Sequence, residues 1–233
     1  MRLAQRRHFE QLAKRIDLLH PPEPIGPCKL ETIFPDEGPF RRELYPKQME
    51  FFEAGATETE RCFMAANRVG KTEAGAYELT CHLTGLYPHW WPGRRFTHPI
   101  TAWAAGDTHL TVRDILQEKL LGSPGHPDTG MIPGHLIHRI TRKARPAETV
   151  DTIYVRHVSG GLSRVALKSY QEGRKSFEGA AVDMVWFDEE VPEDIYMEGL
   201  TRLMTTNGIL ILTFTPLQGM TPVVQRFLPR LSI

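Results

Sequence analysis

Ala65-Ala66-Asn67-Arg68-Val69-Gly70-Lys71-Thr72 is the stretch of sequence that decides the fold. A short apolar run from Cys62 to Ala66 comes before it and predicts a buried strand. Apolar residues then recur at helical spacing from Lys71 to Leu83, which predicts a helix. The sequence therefore predicts a strand, a tight loop and a helix in succession. The free backbone N–H groups at such a helix N-terminus favour a bound anion such as phosphate.

The residues of this loop match the pattern of a P-loop. Gly70 lets the backbone approach the phosphates of a nucleotide, Lys71 reaches the outer phosphates, and the Thr72 hydroxyl ligates Mg²⁺. The match is relaxed, because Ala65 stands where the pattern usually has its first glycine. Gly-Lys-Ser/Thr also arises by chance in roughly one chain in ten of this length. The alternative is an exposed helix start with an incidental lysine, so the prediction depends on partner motifs downstream.

Composition is that of an ordinary globular protein. The chain has 233 residues, of which 41% are hydrophobic and 24% charged, enough for one well-buried α/β domain with a small appendage. Lys plus Arg equals Asp plus Glu at 28 each, so the net charge neither favours nor excludes a nucleic-acid partner. The three cysteines are widely spaced and indicate neither a disulfide framework nor a zinc site.

No targeting or membrane segment is predicted. The charged start, Met1–Arg7, is not followed by an apolar region, and no segment approaches the roughly 18 apolar residues of a membrane span. We therefore expect a soluble, intracellular protein without a membrane partner.

Three parts are predicted along the chain, at residues 1–43, 44–226 and 227–233. Residues 1–19 predict a basic amphipathic helix, which would dock a partner or a phosphate backbone, or would simply face solvent. Six prolines between His20 and Pro39 predict an extended linker. The folded domain is expected to start after this linker.

A glutamine precedes the P-loop by about twenty residues. Gln48 follows Tyr45-Pro46-Lys47 at the start of a predicted short helix. Its side-chain amide has a donor and an acceptor, which can both hydrogen-bond the edge of adenine. By itself Gln48 is a polar helix residue, and only its position before the P-loop favours a role in binding the base.

A nearly solid apolar run from Val182 to Phe187 ends in Asp188-Glu189-Glu190. Buried parallel strands deliver carboxylates to their C-terminal edge in this way, which indicates a Walker B element. Asp188 would hold Mg²⁺, and Glu189 would polarise the attacking water. In the alternative, a surface hairpin strand, apolar residues would alternate with polar ones.

The run from Gly208 to Pro216 predicts one more core strand, placed between the P-loop and Walker B strands. Its polar end, Thr213 and Thr215, would sense the γ-phosphate, or the two threonines would merely end a core strand. The expected fold is therefore an α/β P-loop NTPase of the ASCE type, with a mostly parallel sheet flanked by helices and an N-terminal helical and linker segment.

The remaining elements are predicted from periodicity and turn residues. Ile100–Ala105 predicts a strand, and Thr108–Leu121 a helix. Gly122–Ala147 predicts a long, functional or mobile loop. The alternating runs 152–158 and 163–169 predict a hairpin around Ser159-Gly160-Gly161-Leu162.

Together these motifs give the chain a resemblance to the ATPase domain of the large terminase subunit of tailed bacteriophages, over about residues 44–222. The motifs that carry it are Tyr45-Pro46-Lys47-Gln48 (adenine motif), Ala66-Asn67-Arg68-Val69-Gly70-Lys71-Thr72 (variant Walker A), Trp186-Phe187-Asp188-Glu189-Glu190 (Walker B) and Thr213-Phe214-Thr215-Pro216-Leu217-Gln218-Gly219 (coupling motif). The loop Leu86–Gly93 is also similar to a segment of these proteins.

The resemblance implies an ATPase that uses Mg²⁺ and couples ATP hydrolysis to translocation of double-stranded DNA into a procapsid. It implies a homo-oligomeric ring at the portal vertex, in the cytoplasm of a bacterial host. The implied partners are the portal protein and the terminase small subunit.

Site residues also follow from the resemblance. The implied nucleotide-binding residues are Gln48, Ala66, Asn67, Arg68, Val69, Gly70, Lys71 and Thr72. Glu189, Lys71 and Arg68 would be catalytic, Thr72 and Asp188 would hold the metal, and Thr213 and Thr215 would couple hydrolysis to motion. A guanidinium at Arg68 would stabilise charge on the transferring phosphoryl group. Arg174, one turn before Glu178, is the candidate for an arginine finger donated to a neighbouring subunit.

One departure from the family pattern affects the expected activity. Large terminases continue into a nuclease domain with clustered carboxylates, whereas this chain stops at Ile233. We therefore expect the motor part alone and no DNA cleavage. The alternatives are another DNA-dependent P-loop ATPase, such as a helicase-like remodeller, and a non-catalytic nucleotide-binding remnant.

Overall fold

A seven-stranded sheet organises the part of the chain that the computed structural model describes, residues 28–123, 129–144 and 149–228. Across the sheet the strand order is β1-β7-β6-β2-β5-β4-β3. The first five of these strands are mutually parallel, and β4 and β3 add to one edge in antiparallel pairing. The strands are β1 (Glu60–Met64), β2 (Thr101–Gly106), β3 (Ile137–Arg142), β4 (Val150–Arg156), β5 (Leu162–Ser169), β6 (Met184–Asp188) and β7 (Ile209–Phe214).

The α-helices of the described chain lie before, between and after the strands. They are α1 (Lys29–Thr32), α2 (Pro46–Ala54), α3 (Lys71–Thr84), α4 (His109–Thr111), α5 (Glu118–Leu121), α6 (Glu193–Leu203) and α7 (Pro222–Phe227). The π-helical segment Val112–Gln117 joins α4 to α5, so the predicted helix from Thr108 to Leu121 is present with an irregular centre. Shorter 3₁₀ turns lie at Arg42–Leu44, Gly134–Leu136, Tyr170–Glu172 and Arg174–Phe177. Among the described residues no helix combines the length and the apolar character that crossing a membrane requires.

Two hydrophobic cores lie on opposite faces of the sheet. On one face, Leu79 and Leu83 of α3 belong to the same buried cluster as Trp186 of β6. On the other face, Ile195 of α6 belongs to the cluster that contains Phe187, the next residue along β6. Successive side chains of a strand point to opposite faces, so a strand buried on both sides must be apolar throughout. This accounts for the solid apolar run in β6.

The predicted α/β fold with a mostly parallel sheet is confirmed, including the position of the extra strand. β7 lies between β1 and β6. Thr213 is the register partner of Asp188, and Phe214 is the partner of Met64. The carboxyl ends of all three strands therefore meet at one edge of the sheet, and α3 begins seven residues after β1 at that edge.

The antiparallel extension of the sheet, formed by β3, β4 and β5, is predicted only in part. The predicted hairpin is confirmed, since β4 pairs with β5. The predicted loop from Gly122 to Ala147 is wrong over Ile137–Arg142, which form β3 against β4. Half of the six β3 residues are His or Arg, so the sequence has little of the apolar alternation that indicates a strand. Pairing with β4, and not local preference, specifies β3.

The predicted linker also differs from the structure in its second half. Phe34 is 3% exposed, and its ring centroid lies 5.1 Å from that of Tyr77 in α3. Leu30 is buried in the same core. The prediction of an extended linker is therefore wrong for the segment from α1 to Phe34. Residues 1–27, with the predicted basic helix, and residues 229–233 of the predicted tail lie outside the described residues.

Close packing of α3 on β6 requires a glycine. A Cβ atom added at Gly75 would lie 2.5 Å from the Trp186 ring. That ring is fully buried, and its Nε1 donates a hydrogen bond to Thr213 Oγ1 at 2.7 Å. The indole therefore cannot move aside without losing this bond.

We expect Gly75→Ala to destabilise the protein by about 1–3 kcal/mol, because overpacking outweighs the gain in helix propensity. Urea denaturation measures the change. The matched control is Gly199→Ala in α6, where the closest atom to the added Cβ would be at the edge of Phe187, 3.0 Å away. Equal free energies of unfolding for the two variants would contradict the prediction.

Candidate nucleotide-binding site

The loop between β1 and α3 has the backbone geometry of an anion-binding turn. Arg68 and Gly70 both have left-handed backbone conformations, with φ of 64° and 84°. Gly70 immediately precedes the 14-residue helix α3. A side chain at Gly70 would be strained, and its Cβ would also lie 3.2 Å from Gln48 Nε2. The positive end of the helix dipole of α3 therefore lies at this loop.

Lys71 connects this loop to the end of β7. Its Nζ donates hydrogen bonds to the Ala66 carbonyl at 2.8 Å and to Thr215 Oγ1 at 2.9 Å. Thr215 Oγ1 also lies 2.7 Å from Asn67 Oδ1 and 2.9 Å from the Ala65 carbonyl. The predicted coupling residue Thr215 is therefore in contact with the predicted phosphate-binding loop.

Asp188 lies at the centre of the site, at the end of β6. Its Oδ1 accepts hydrogen bonds from Thr72 Oγ1 at 3.0 Å and from Thr213 Oγ1 at 2.6 Å. Trp186 Nε1 donates to the same Thr213 hydroxyl. The structure thus brings both predicted metal-binding residues, Thr72 and Asp188, into direct contact, together with the predicted coupling residue Thr213.

Burial shifts the pKa of each charged group here. Asp188 is 3% exposed, and burial raises its pKa to about 7, although hydrogen bonds from Thr213 and Thr72 favour the charged form. Burial also raises the pKa of Glu189, against the opposing charge of Lys71. It lowers the pKa of Lys71, against the opposing charges of Glu189 and Asp188. The site therefore favours a cation between the two carboxylates and an anion beside the lysine.

Glu189 follows Asp188 in a strained backbone conformation, with φ of 71°. The buried hydroxyl of Tyr170 lies 3.0 Å from the Asp188 carbonyl, 3.2 Å from the Glu189 carbonyl and 3.3 Å from the Ala105 carbonyl. The Glu189 N–H donates to the Thr213 carbonyl at 3.0 Å. These bonds hold the peptide that carries Glu189 between β2, β5 and β7.

A half-enclosed cavity of about 380 Å³ opens beside Gly70. Its lining is mostly apolar and includes Ile33, Phe34, Phe40, Tyr45 and Gln48. Gln48 Nε2 donates to the Val69 carbonyl at 2.8 Å, which ties α2 to the loop. An aromatic and aliphatic cavity next to the predicted phosphate-binding turn fits a purine base, whereas the role of Gln48 at the base edge stays a prediction.

The two predicted arginines differ in their surroundings. Arg68 is exposed at the turn of the loop. Arg174 donates from Nε to Glu198 Oε2 at 3.0 Å, and it lies 3.8 Å from Glu178. Neither of these contacts, in the part of the chain that the structure describes, is with the P-loop. Its role as a finger toward a neighbouring subunit stays a prediction.

The positioning roles of three residues were not predicted from the sequence. Tyr170 holds the Glu189 peptide, and Trp186 holds Thr213 beside Asp188. Thr221 donates to Glu190 Oε1 at 2.6 Å, and its hydroxyl also accepts from the Val224 N–H as the N-cap of α7. Apart from the N-cap bond of Thr221, each contact joins residues 18 or more positions apart, so no local pattern could reveal it. The only sequence signal is that Tyr170 directly follows the predicted run 163–169 and that Thr221 lies two residues after the coupling motif.

Comparison with known proteins assigns this chain to one family. A family model described as terminase large subunit, T4likevirus-type, N-terminal, matches residues 62–232. The chain is also similar to the large terminase subunit of Salmonella phage P22, with 41% identity over 206 residues. The match covers 79% of this chain and 41% of that protein, so this chain spans less than half the length of its relative.

Two solved structures show weaker similarity. The large terminase of a thermophilic bacteriophage, in complex with ADP, matches with a TM-score of 0.45 and 14% identity, over 75% of this chain and 38% of that chain. The HK97 bacteriophage large terminase matches with a TM-score of 0.44 and 15% identity, over 77% of this chain and 33% of that chain. The strand order and registers of this chain define its fold independently of these two matches.

The raised pKa of Asp188 predicts a pH-dependent effect of Asp188→Asn. A carboxyl whose pKa is about 7 when folded and 3.8 ordinarily binds its proton more tightly in the folded state. The stability of the native chain relative to the variant should therefore fall as the pH rises from about 4 to about 7, by up to about 4 kcal/mol. Urea denaturation at pH 5 and pH 8, without nucleotide or Mg²⁺, measures it. A difference that is the same at both pH values would contradict the prediction.

Proposed function

This chain belongs to the T4likevirus-type family of terminase large subunits, whose N-terminal part it matches, and we propose that it is an ATP-hydrolysing motor that drives double-stranded DNA into a procapsid. The observation that carries the proposal is the convergence of Lys71, Thr72, Asp188 and Glu189 at one edge of the sheet. A phosphate-binding turn, a metal-binding pair and an acid placed to act on water are the parts that ATP hydrolysis requires.

The residues of the loop would hold the nucleotide. Backbone N–H groups from Ala66 to Lys71 would surround the phosphates, and Lys71 Nζ would exchange its bonds to Ala66 and Thr215 for the outer phosphate oxygens. Thr72 and Asp188 would hold Mg²⁺, which neutralises charge that develops on the phosphates. The cavity beside Gly70 would take the adenine base.

Glu189 would act on the attacking water. Its raised pKa makes it a stronger base than an exposed glutamate, which suits proton acceptance near neutral pH. Tyr170 would act as a positioning residue, because its hydroxyl holds the strained peptide from which the Glu189 side chain projects. Arg68 would stabilise charge on the phosphoryl group that is transferred in its own chain. Arg174 would do the same in a neighbouring subunit.

Hydrolysis would reach the rest of the protein through β7 and α7. Thr215 contacts Lys71, so loss of the outer phosphate would change the hydrogen bonds at the end of β7. Glu190, the residue after Glu189, accepts a hydrogen bond from Thr221, the N-cap of α7. This bond connects the Walker B strand to the last described helix. The first contact would link hydrolysis to β7, and the second would link it to α7.

The proposed partners follow from family membership. They are double-stranded DNA, the portal protein, the terminase small subunit and further copies of this chain in a ring, in the cytoplasm of a bacterial host. For this part of the protein we propose ATP hydrolysis and no DNA cleavage.

Two substitutions should separate binding from hydrolysis. Glu189→Gln should keep ATP affinity and lower turnover by about 10²–10⁴-fold, because it removes only the base. Lys71→Ala should lose ATP binding as well. ATP hydrolysis over a series of protein concentrations, with and without duplex DNA, and equilibrium nucleotide binding measure both effects.

The matched control is Glu193→Gln, an exposed acid at the start of α6, which should leave turnover unchanged. Equal, mild effects of the Lys71 and Glu189 substitutions would contradict the assignment of the site. Tight binding with no turnover under any condition would instead identify a nucleotide-binding remnant.

Tyr170→Phe should lower kcat by about tenfold or more and leave the KM for ATP unchanged, because the base is displaced while the phosphate-binding loop stays intact. In a Glu189→Gln background the same substitution should have no further effect on kcat. The matched control is Tyr87→Phe, which removes a hydroxyl that bonds His82 and the Phe96 N–H outside the site. A loss of stability in Tyr170→Phe without a change in kcat would contradict the positioning role.

A further inference from the structure

A row of cationic and aromatic side chains crosses the antiparallel extension of the sheet. Tyr154 of β4 is the register partner of Arg139 in β3 and of Arg164 in β5. Directly paired residues of neighbouring strands point to the same face. The Arg139 guanidinium lies over the Tyr154 ring, 4.3 Å from its centroid, as a cation–π pair. The three side chains therefore form one continuous row.

A third arginine lies on the same face. Arg156 follows Tyr154 by two residues, so it points to the same side of β4. It is exposed and donates to the His135 carbonyl at 3.2 Å. Arg164 is also exposed, and its Nε donates to Thr101 Oγ1 at 3.1 Å.

The positive charge of this surface is not neutralised. Within the described chain, none of Arg139, Arg156 and Arg164 has a carboxylate oxygen within 4.0 Å. β3 and β5 contain no acidic residue, and Asp151, the acidic residue of β4, accepts a hydrogen bond from Thr152. The bonds of Arg156 and Arg164 to neutral groups orient their guanidinium groups and leave the charge for another partner.

The two faces of the extension differ in burial. Ile153, Val155, Val165 and Leu167 point to the opposite face and are at most 1% exposed in the core that contains α3. On the other face the three arginines are exposed. An exposed sheet face with arginines on neighbouring strands has the shape and charge of a contact surface for a polyanion.

We propose that Arg139, Tyr154, Arg156 and Arg164, the basic sheet face, contact the phosphate backbone of double-stranded DNA. The inference rests on the proposed function, which requires a DNA contact surface. From strand geometry, Arg139 and Arg164 are about 10 Å apart and Arg156 lies about 7 Å along β4 from the row, so the three can reach separate phosphates. Phosphate contacts carry no sequence information, which suits a motor that moves along any DNA.

The test is binding of a fluorescein-labelled duplex DNA of random sequence, measured by anisotropy between about 50 and 200 mM salt. Each phosphate contact contributes about 0.9 to the slope of log affinity against log salt concentration. The triple variant Arg139→Gln, Arg156→Gln, Arg164→Gln should reduce that slope by about 2 to 3 and weaken binding at low salt. Its nucleotide binding should equal that of the native chain.

The charge-matched control removes three surface cations that are paired with acids elsewhere. The control variant should keep the native salt slope. It carries Arg41→Gln, Arg42→Gln and Arg113→Gln, whose partners are Glu43, Asp36 and Asp114.

Three outcomes would overturn the inference. They are an unchanged slope in the triple variant, an equal loss of slope in the control, and altered self-association of the triple variant by sedimentation with native DNA affinity. The last result would identify the basic sheet face as a contact between subunits. ATP turnover by the same native protein tests the proposed function separately, because it does not depend on this face.

Discussion

A carboxylate buried at the junction of three elements is the constraint on which the site depends. Asp188 ends β6, and hydroxyls from α3 and β7 bond to it. Its charged form is unfavourable there, because the hydrogen bonds do not compensate for the water that burial removes. A bound cation would relieve this cost, which gives the site a physical reason to bind a metal. The same two bonds fix the start of α3 and the end of β7 relative to β6.

Backbone strain occurs at two residues of the candidate site, one in the loop between β1 and α3 and one directly after Asp188. Arg68 and Glu189 both have left-handed φ values without being glycine. Each such backbone conformation costs of order 1–3 kcal/mol of folding free energy, and it persists only where surrounding contacts hold it. At Glu189 those surroundings are the Tyr170 hydroxyl and the Thr213 carbonyl. The rigid, apolar strands on either side make this conformation possible at the edge of the sheet.

The sheet divides into two regions with different surroundings. The parallel centre is covered on both faces, and the candidate site lies at its carboxyl edge. The antiparallel extension is covered on the face that contains Ile153 and Val165, while Arg139 and Arg164 are exposed on the other. The proposed motor requires both a protected site for hydrolysis and an open surface for DNA. In this proposal one continuous sheet provides both, the first at its carboxyl edge and the second on the exposed face of its antiparallel strands.

The sequence by itself determined the turn before α3 and the strands β6 and β7, because each is a local pattern: a glycine-lysine turn before a helix, and solid apolar runs ending in polar residues. Only the tertiary structure decided which residues hold these parts. Tyr170, Trp186 and Thr221 act across 18 or more positions of sequence, and β3 exists because β4 pairs with it. Such contacts depend on the relative position of distant strands, which no local pattern encodes.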